Sequence, residues 1–274
     1  MPRPQLLVRV GHAEAPDTAL RVAISVARRL EADLDGVQVV PLAPAAFGVP
    51  EAMPLQMDTQ HRQFEAAQAR ADAYRERIHA AGLRGNWHVA QGDAANVLCH
   101  MTAAYDLLVM ARADEMRDAP LGYGTISHAV FGCRCPVLIL PEDAPVASCG
   151  ARILVAWNGS RESTLALRGA LPLLIAADTV HVLDGTDPER TRDPLAPPDA
   201  DLRTWLERHA ITAHIEAFRP DGPPGPAIES CADARDADLI VMGAWGRSRL
   251  SELILGGATR HLFAHSRHPL LVAH

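Results

Sequence analysis

The sequence predicts an α/β protein built from two repeated, doubly wound, parallel five-stranded sheets. Three observations carry this. Short β-branched or Leu-rich runs alternate with helix-period segments, the signature of βαβ units. The pattern runs through five strands, crosses a short proline-bearing linker (EDAPVASCG, Glu142 to Gly150), and then restarts. Finally, Asp106-Leu107-Leu108-Val109-Met110 returns as Asp238-Leu239-Ile240-Val241-Met242, 132 positions later (238 − 106). At that offset Gly124 falls on Gly256 and Phe131 on Phe263, whereas the first strands (Leu7 and Leu154) are 147 apart, so the first copy has the longer middle section. This is an internal duplication, with expected domains at 1–143 and 150–274.

In chain order, Gln5 to Val10 reads as a strand, Thr18 to Glu31 as an amphipathic helix and Leu34 to Pro41 as a second strand. A Pro/Ala/Gly-rich loop, Leu42 to Pro54, precedes a polar helical stretch from about Thr59 to Ala81. Trp87 to Gln91, Asp106 to Ala111 and Pro136 to Leu140 are strands, separated by helices over Ala94 to Ala104 and Thr125 to Phe131. The second copy opens with a strand over Arg152 to Trp157, a helix over Ser163 to Leu174 and a strand over Thr179 to Leu183. After a proline-rich connection come a short helix (Asp201 to His209), a strand (Thr212 to Phe218) and a helix (Ala227 to Ala234). Leu239 to Met242 and Leu270 to Ala273 are the last strands, with a glycine-bearing loop, a helical turn (Arg247 to Leu255) and a helix between them.

Composition removes several function classes. With 48% hydrophobic and 22% charged residues the chain is that of a folded globular protein. A net charge of −7 argues against a sequence-independent grip on nucleic acid or an anionic membrane. No lysine occurs, which rules out a Walker-type phosphate loop, a Schiff base and a pyridoxal enzyme. The five cysteines (Cys99, Cys133, Cys135, Cys149, Cys231) are odd in number and scattered, so they read as free thiols rather than a disulfide framework. Cys133-Arg134-Cys135 has no second pair at zinc-finger spacing. Met1-Pro2-Arg3-Pro4 leads directly into a strand and no apolar run is long enough to span a bilayer, so a cytoplasmic protein is expected.

The chemistry-bearing stretch is the C-terminal one. After the strand ending in Met242 stand Gly243, Gly246, Gly256 and Gly257, with a helix following the last two. Glycine corners let backbone N–H groups approach a ligand, and a helix N-terminus adds partial positive charge, a layout suited to a nucleotide's phosphates. The pattern Gly243-x2-Gly246-x9-Gly256, together with Arg152 to Ser160 as a first strand and loop, resembles the nucleotide loop of the universal stress protein family, and the resemblance covers nearly the whole chain. It implies a tandem member in which ATP or a related adenine nucleotide, with Mg²⁺, binds in the second half. Ala156, Trp157 and Asn158 would flank base and ribose, and Met242, Gly243, Gly246, Gly256 and Gly257 would lie along the phosphates. The family's pairing of last strands would bring Pro136 to Leu140 against Leu270 to Ala273 as an intramolecular pseudo-dimer, with a homodimer of chains and a protein partner compatible with it.

Two positions depart from the family pattern. Gly257 stands where nucleotide-binding members carry Ser or Thr, a lack that Thr259 could partly make good, and Asn158 stands where they carry Asp. Ser160 is either a ligand contact or a helix N-cap. Arg247, Arg249 and Arg260 either meet phosphates or point to solvent, and Trp245 either stacks on a base or packs on the sheet. In the first copy Ala111 and Asp114 replace the loop glycines and Gly11-His12-Ala13 replaces Asn158-Gly159-Ser160, so that half is expected to have lost its site. His261 and His265 have an i, i+4 spacing that can hold zinc, without an acidic partner in a known order. No catalytic triad is discernible, although Asp184, at a strand end, would point into the cleft. The expectation is a ligand-regulated stress-response module rather than an efficient enzyme; the alternatives are a nucleotide-free scaffold and a slow ATPase.

Overall fold

The computed structural model describes residues 3–11, 18–42, 53–112, 124–141, 149–186, 201–244 and 257–274, with the side chains of 53–56 left aside. The strands are β1 Gln5–Arg9, β2 Asp33–Val40, β3 Trp87–Gln91, β4 Leu107–Ala111 and β5 Val137–Leu140 in the first half. In the second they are β6 Arg152–Trp157, β7 Thr179–Asp184, β8 Ala213–Ala217, β9 Leu239–Gly243 and β10 Leu270–Ala273. Helices α1 Thr18–Arg29, α2 Met53–Ala69, α3 Ala71–Ala80, α4 Ala94–Met101 and α5 Thr125–Gly132 belong to the first half. Helices α6 Arg161–Gly169, α7 Leu171–Ala176, α8 Leu202–Arg208, α9 Pro224–Ala234 and α10 Gly257–His265 belong to the second.

All ten strands join one sheet in the order β3-β2-β1-β4-β5-β10-β9-β6-β7-β8. Neighbours are parallel within each half, and the halves meet where β5 and β10 run antiparallel, with Leu138 opposite Leu271. Pro136 and Pro269 are 133 apart (269 − 136), and the same offset maps Leu138 onto Leu271. The two copies of one residue therefore face each other, which places a local two-fold axis at that pair. The expected intramolecular pseudo-dimer is what the chain forms.

Parallel strands covered on both faces should be apolar throughout, and the period of two sorts their side chains into two cores. Leu6, Val8, Leu138, Val155, Val241 and Leu271 enter one core, packing with α1 and α6. Leu7, Leu108, Met110, Leu154, Ile240 and Val272 enter the other, with α4, α5, α9 and α10. Both cores continue across the seam. Further links across it are Arg29 Nη1 to the Ala176 carbonyl at 2.7 Å and Arg112 Nη1 to the Ser266 carbonyl at 2.6 Å. Phe131 and His274 stack edge-on with centroids 4.6 Å apart.

Three helices differ from the sequence reading. The long polar helix starts earlier, at Met53, and breaks at Arg70, whose N–H bonds back three residues to Ala67 and whose guanidinium is drawn to Gly11 and Gln38. The helix expected over Ser163 to Leu174 is split between α6 and α7 around Pro172, which lacks a donor and crowds the preceding turn. Helix α9 starts at Pro224, three residues before the expected Ala227, because first-turn N–H groups have no intrahelical acceptor and proline there loses nothing. The repeated aspartates, each just before its half's fourth strand, anchor the start of that half's first strand. Asp106 accepts from the Gln5 N–H at 2.8 Å, and Asp238 Oδ1 accepts from Gly150, Ala151 and Arg152 at 2.9, 3.0 and 3.0 Å.

Candidate nucleotide crevice

In the second half the strand order β10-β9-β6-β7-β8 reverses between β6 and β9, which pair through Ile153–Leu239 to Ala156–Met242. A doubly wound sheet opens a crevice at the carboxyl ends of such a pair, because the chain leaves the two strands toward opposite faces. A cavity of about 350 Å³ lies there. Of the ten residues expected at the site, Ala156, Trp157, Asn158 and Ser160 line it from β6 and its turn. Met242 and Gly243 line it from β9, and Gly257 and Thr259 from the start of α10. Gly246 and Gly256, with Trp245, Arg247, Arg249 and the turn expected over Arg247 to Leu255, lie outside the described residues.

Local chemistry explains each position. Gly159 adopts φ +70°, a conformation that favours glycine, and turns the chain from β6 into α6. Asn158 Oδ1 closes that turn by accepting from the Ser160 N–H at 3.1 Å. Ser160 Oγ accepts from the Ser163 N–H at 3.2 Å, so this hydroxyl is the N-cap of α6 while also facing the cavity. A Cβ on Gly243 would lie 2.4 Å from Ser163 N and 2.5 Å from Glu162 C. Glycine at 243 thus lets the first turn of α6 seat against the end of β9, a packing reason the loop pattern did not disclose. At Gly257 no described residue occupies the space a side chain would fill, and Thr259 is buried beneath the cavity wall.

Three helices begin at this one space. Ser160 caps α6, Pro224 opens α9 and Gly257 opens α10, and all three residues line the cavity. Partial positive charge from three helices converging on a pocket favours an anion. Much of the remaining wall is apolar. Leu183, Phe218, Pro220 and Ile228 supply it, and sequence reasoning missed them. The available signal was a lone aromatic, Phe218, directly after the edge strand β8. Among the described residues, no carboxylate side chain lines the cavity.

Other candidates are placed elsewhere. Asp184 Oδ1 accepts from the Thr186 N–H at 2.9 Å and from its hydroxyl at 2.7 Å, closing a turn outside the cavity lining instead of pointing into it. Arg219, beside Phe218, donates to the Asp184 carbonyl at 2.7 Å. Arg260 is exposed. His261 and His265 stack at 5.1 Å, with His265 Nδ1 against the His261 carbonyl, and no cluster of three or more His, Cys, Asp or Glu able to hold a metal occurs among the described residues. In the first half the matching strand ends are tied down by arginines. Arg70 donates to the Gly11 carbonyl at 2.6 Å and to Gln38 at 2.7 Å while lying over the Trp87 ring, and burial lowers its pKa. Arg112, the residue after β4, is held across the seam by Ser266. Asp114 lies outside the described residues.

Comparison with known proteins agrees with this architecture. The model of the Universal stress protein family matches twice, over residues 3–141 and 151–274. A universal stress protein from Archaeoglobus fulgidus DSM 4304 is similar in structure at a TM-score of 0.74 and 18% identity, over 100% of this chain and 99% of that one. A functionally unknown protein from Pseudomonas aeruginosa PAO1 is similar at a TM-score of 0.60 and 17% identity, over 99% of this chain and 92% of that one. A putative universal stress protein from Pseudomonas aeruginosa UCBPP-PA14 gives 0.59 and 18%, over 99% of this chain and 93% of that one. A search of curated proteins returned no match. No described helix is long and apolar enough to cross a membrane.

Proposed function

The chain belongs to the universal stress protein family and carries its fold twice, and on that premise we propose that the C-terminal half binds ATP or a related adenine nucleotide in the crevice between β6 and β9. The observation that carries this is the convergence of three helix N-termini on a cavity at the point where strand order reverses. In this reading the phosphates lie toward Gly243, Gly257 and the loop between them, and Phe218 and Trp157 bound the base. Mg²⁺, if carried, comes with the phosphates. The bound nucleotide sets the state of a cytoplasmic stress-response module that a protein partner reads, and the first half serves as scaffold and partner surface. Efficient hydrolysis is not part of the proposal, because Asp184 is held in its own turn.

Titration calorimetry of the full chain with ATP, ADP and AMP tests the proposal. Gly257 is the position to vary, since a side chain there meets nothing within 4 Å among the described residues. Gly257→Ser restores the hydroxyl and should tighten binding about tenfold, the worth of one hydrogen bond to a charged group. Gly257→Glu places a carboxylate where the phosphates lie and should weaken binding at least tenfold, while the acidic first turn leaves α10 intact. Absence of binding in both wild type and Gly257→Ser overturns the reading. Binding by Gly257→Ser alone supports the second reading, a nucleotide-free scaffold, which the fixed Asn158 amide and the missing hydroxyl at 257 favour.

A further inference from the structure

The first half holds a side-chain cluster that the nucleotide reading does not use. Cys99 sits on α4 and Cys133 is the residue that ends α5, and their sulfurs lie 3.5 Å apart. The approach is built rather than incidental. A Cβ at position 132 would fall 2.6 Å from Cys99 Sγ, so glycine there makes the space the sulfur occupies. The Cys99 thiol donates to the His128 carbonyl at 3.7 Å, and the Cys133 thiol donates to Cys99 Sγ, so the two thiols and that carbonyl form one chain. Thr102 steadies both ends: its hydroxyl donates to the Cys99 carbonyl at 3.0 Å and accepts from the Arg134 N–H at 3.4 Å.

We propose that Cys99 and Cys133 are an oxidisable dithiol, converted by a hydroperoxide into an intramolecular disulfide that ties α4 to the end of α5. Cys99 is the attacking sulfur. Both cysteines are half-buried, but Cys99 Sγ accepts the Cys133 S–H, which favours its thiolate, whereas burial pushes the Cys133 thiol well above the ordinary cysteine range and makes it the resolving partner. Thiolate attack on hydrogen peroxide forms a sulfenic acid and releases hydroxide, which the proton of the Cys99 thiol turns into water. Cys133 sulfur then displaces the sulfenic oxygen, which leaves as a second water with the Cys133 proton. Two thiols are oxidised by two electrons and one peroxide is reduced. Closing from 3.5 Å to bonding distance, about 2.0 Å, is within reach of a side-chain rotation. Cys133 is the thiol that meets the Cys99 sulfur, and Cys135, whose thiol is raised chiefly by burial, is the competitor to be excluded. The bond forms beside the seam, because Cys133 lies two residues past Phe131, whose ring packs on His274.

The test uses the folded wild-type chain, treated with stoichiometric hydrogen peroxide, alkylated, digested and read by mass spectrometry. The expected result is one cross-link between the Cys99 and Cys133 peptides, two alkylation sites lost, and both recovered with dithiothreitol. Cys99→Ser should abolish the cross-link, and Cys133→Ser should leave Cys99 as a sulfenic acid trapped by dimedone. Full alkylation of both cysteines after oxidation, a cross-link to Cys135 or Cys231, or sulfinic acid at Cys99 in the wild type would each overturn the proposal.

Discussion

Removing the Asp238 carboxylate should cost far more stability than removing its repeat counterpart, Asp106. Asp238 is 4% exposed, and its Oδ1 takes the N–H groups of Gly150, Ala151 and Arg152, with Oδ2 at 3.2 Å from the Ala151 N–H as well. Gly150 and Ala151 are themselves buried. In Asp238→Ala three N–H groups lose their acceptor, at about 1–3 kcal/mol each for the two on buried residues and less for that of half-buried Arg152, so the expected loss is about 3–5 kcal/mol. Asp238→Asn retains an acceptor oxygen but not the charge and should lose about 1–2 kcal/mol. Asp106 is exposed and accepts from a single N–H, that of Gln5, so Asp106→Ala should lose about 1 kcal/mol or less. Urea unfolding followed by circular dichroism gives the three values, and hydrogen exchange at Gly150 to Arg152 localises the effect. Equal losses for Asp238→Ala and Asp106→Ala would refute the reasoning, because the two differ only in burial and in the number of donors they hold.

Two further outcomes follow from single contacts. Gly243→Ala forces a methyl against α6 backbone at 2.4 Å and should destabilise by about 1–3 kcal/mol or more, whereas Gly257→Ala, with no described residue in its way, should stay within about 0.5 kcal/mol; thermal melts of the two variants decide it. His181 has its pKa lowered by burial first and then by His214, whose ring stacks at 5.1 Å across the β7–β8 pair. The unfolded chain therefore takes up that proton first, and stability should decline as pH falls below about 6.5, the ordinary histidine value. His181→Gln should flatten that part of a stability-versus-pH curve, and an unchanged slope would count against the assignment.

Much of the fold was legible because burial leaves a local mark. Leu-Leu-Val-Met and Leu-Ile-Val-Met are apolar at every position because parallel strands are covered on both faces, and the duplication is visible because both halves need the same buried strand. The β6 turn and the end of β9, which line the crevice, were also legible, since each is a short contiguous motif at a strand's end. The arginine break at Arg70 and the early start of α9 were not, because one depends on acceptors in β1's following loop and in β2, and the other on proline being harmless only in a first turn.

By itself, then, the sequence determined the two-fold repetition, the strands and which loops carry glycine, all of them written in residues close along the chain. Tertiary structure alone decided that Leu138 faces Leu271, that the starts of α6, α9 and α10 and the Phe218 ring share one cavity, that Gly243 makes room for a helix, and that Cys99 meets Cys133. These are contacts between segments far apart in the chain. They depend on how strands order themselves and helices cross over them, and neither periodicity nor a motif's spacing encodes such a crossing.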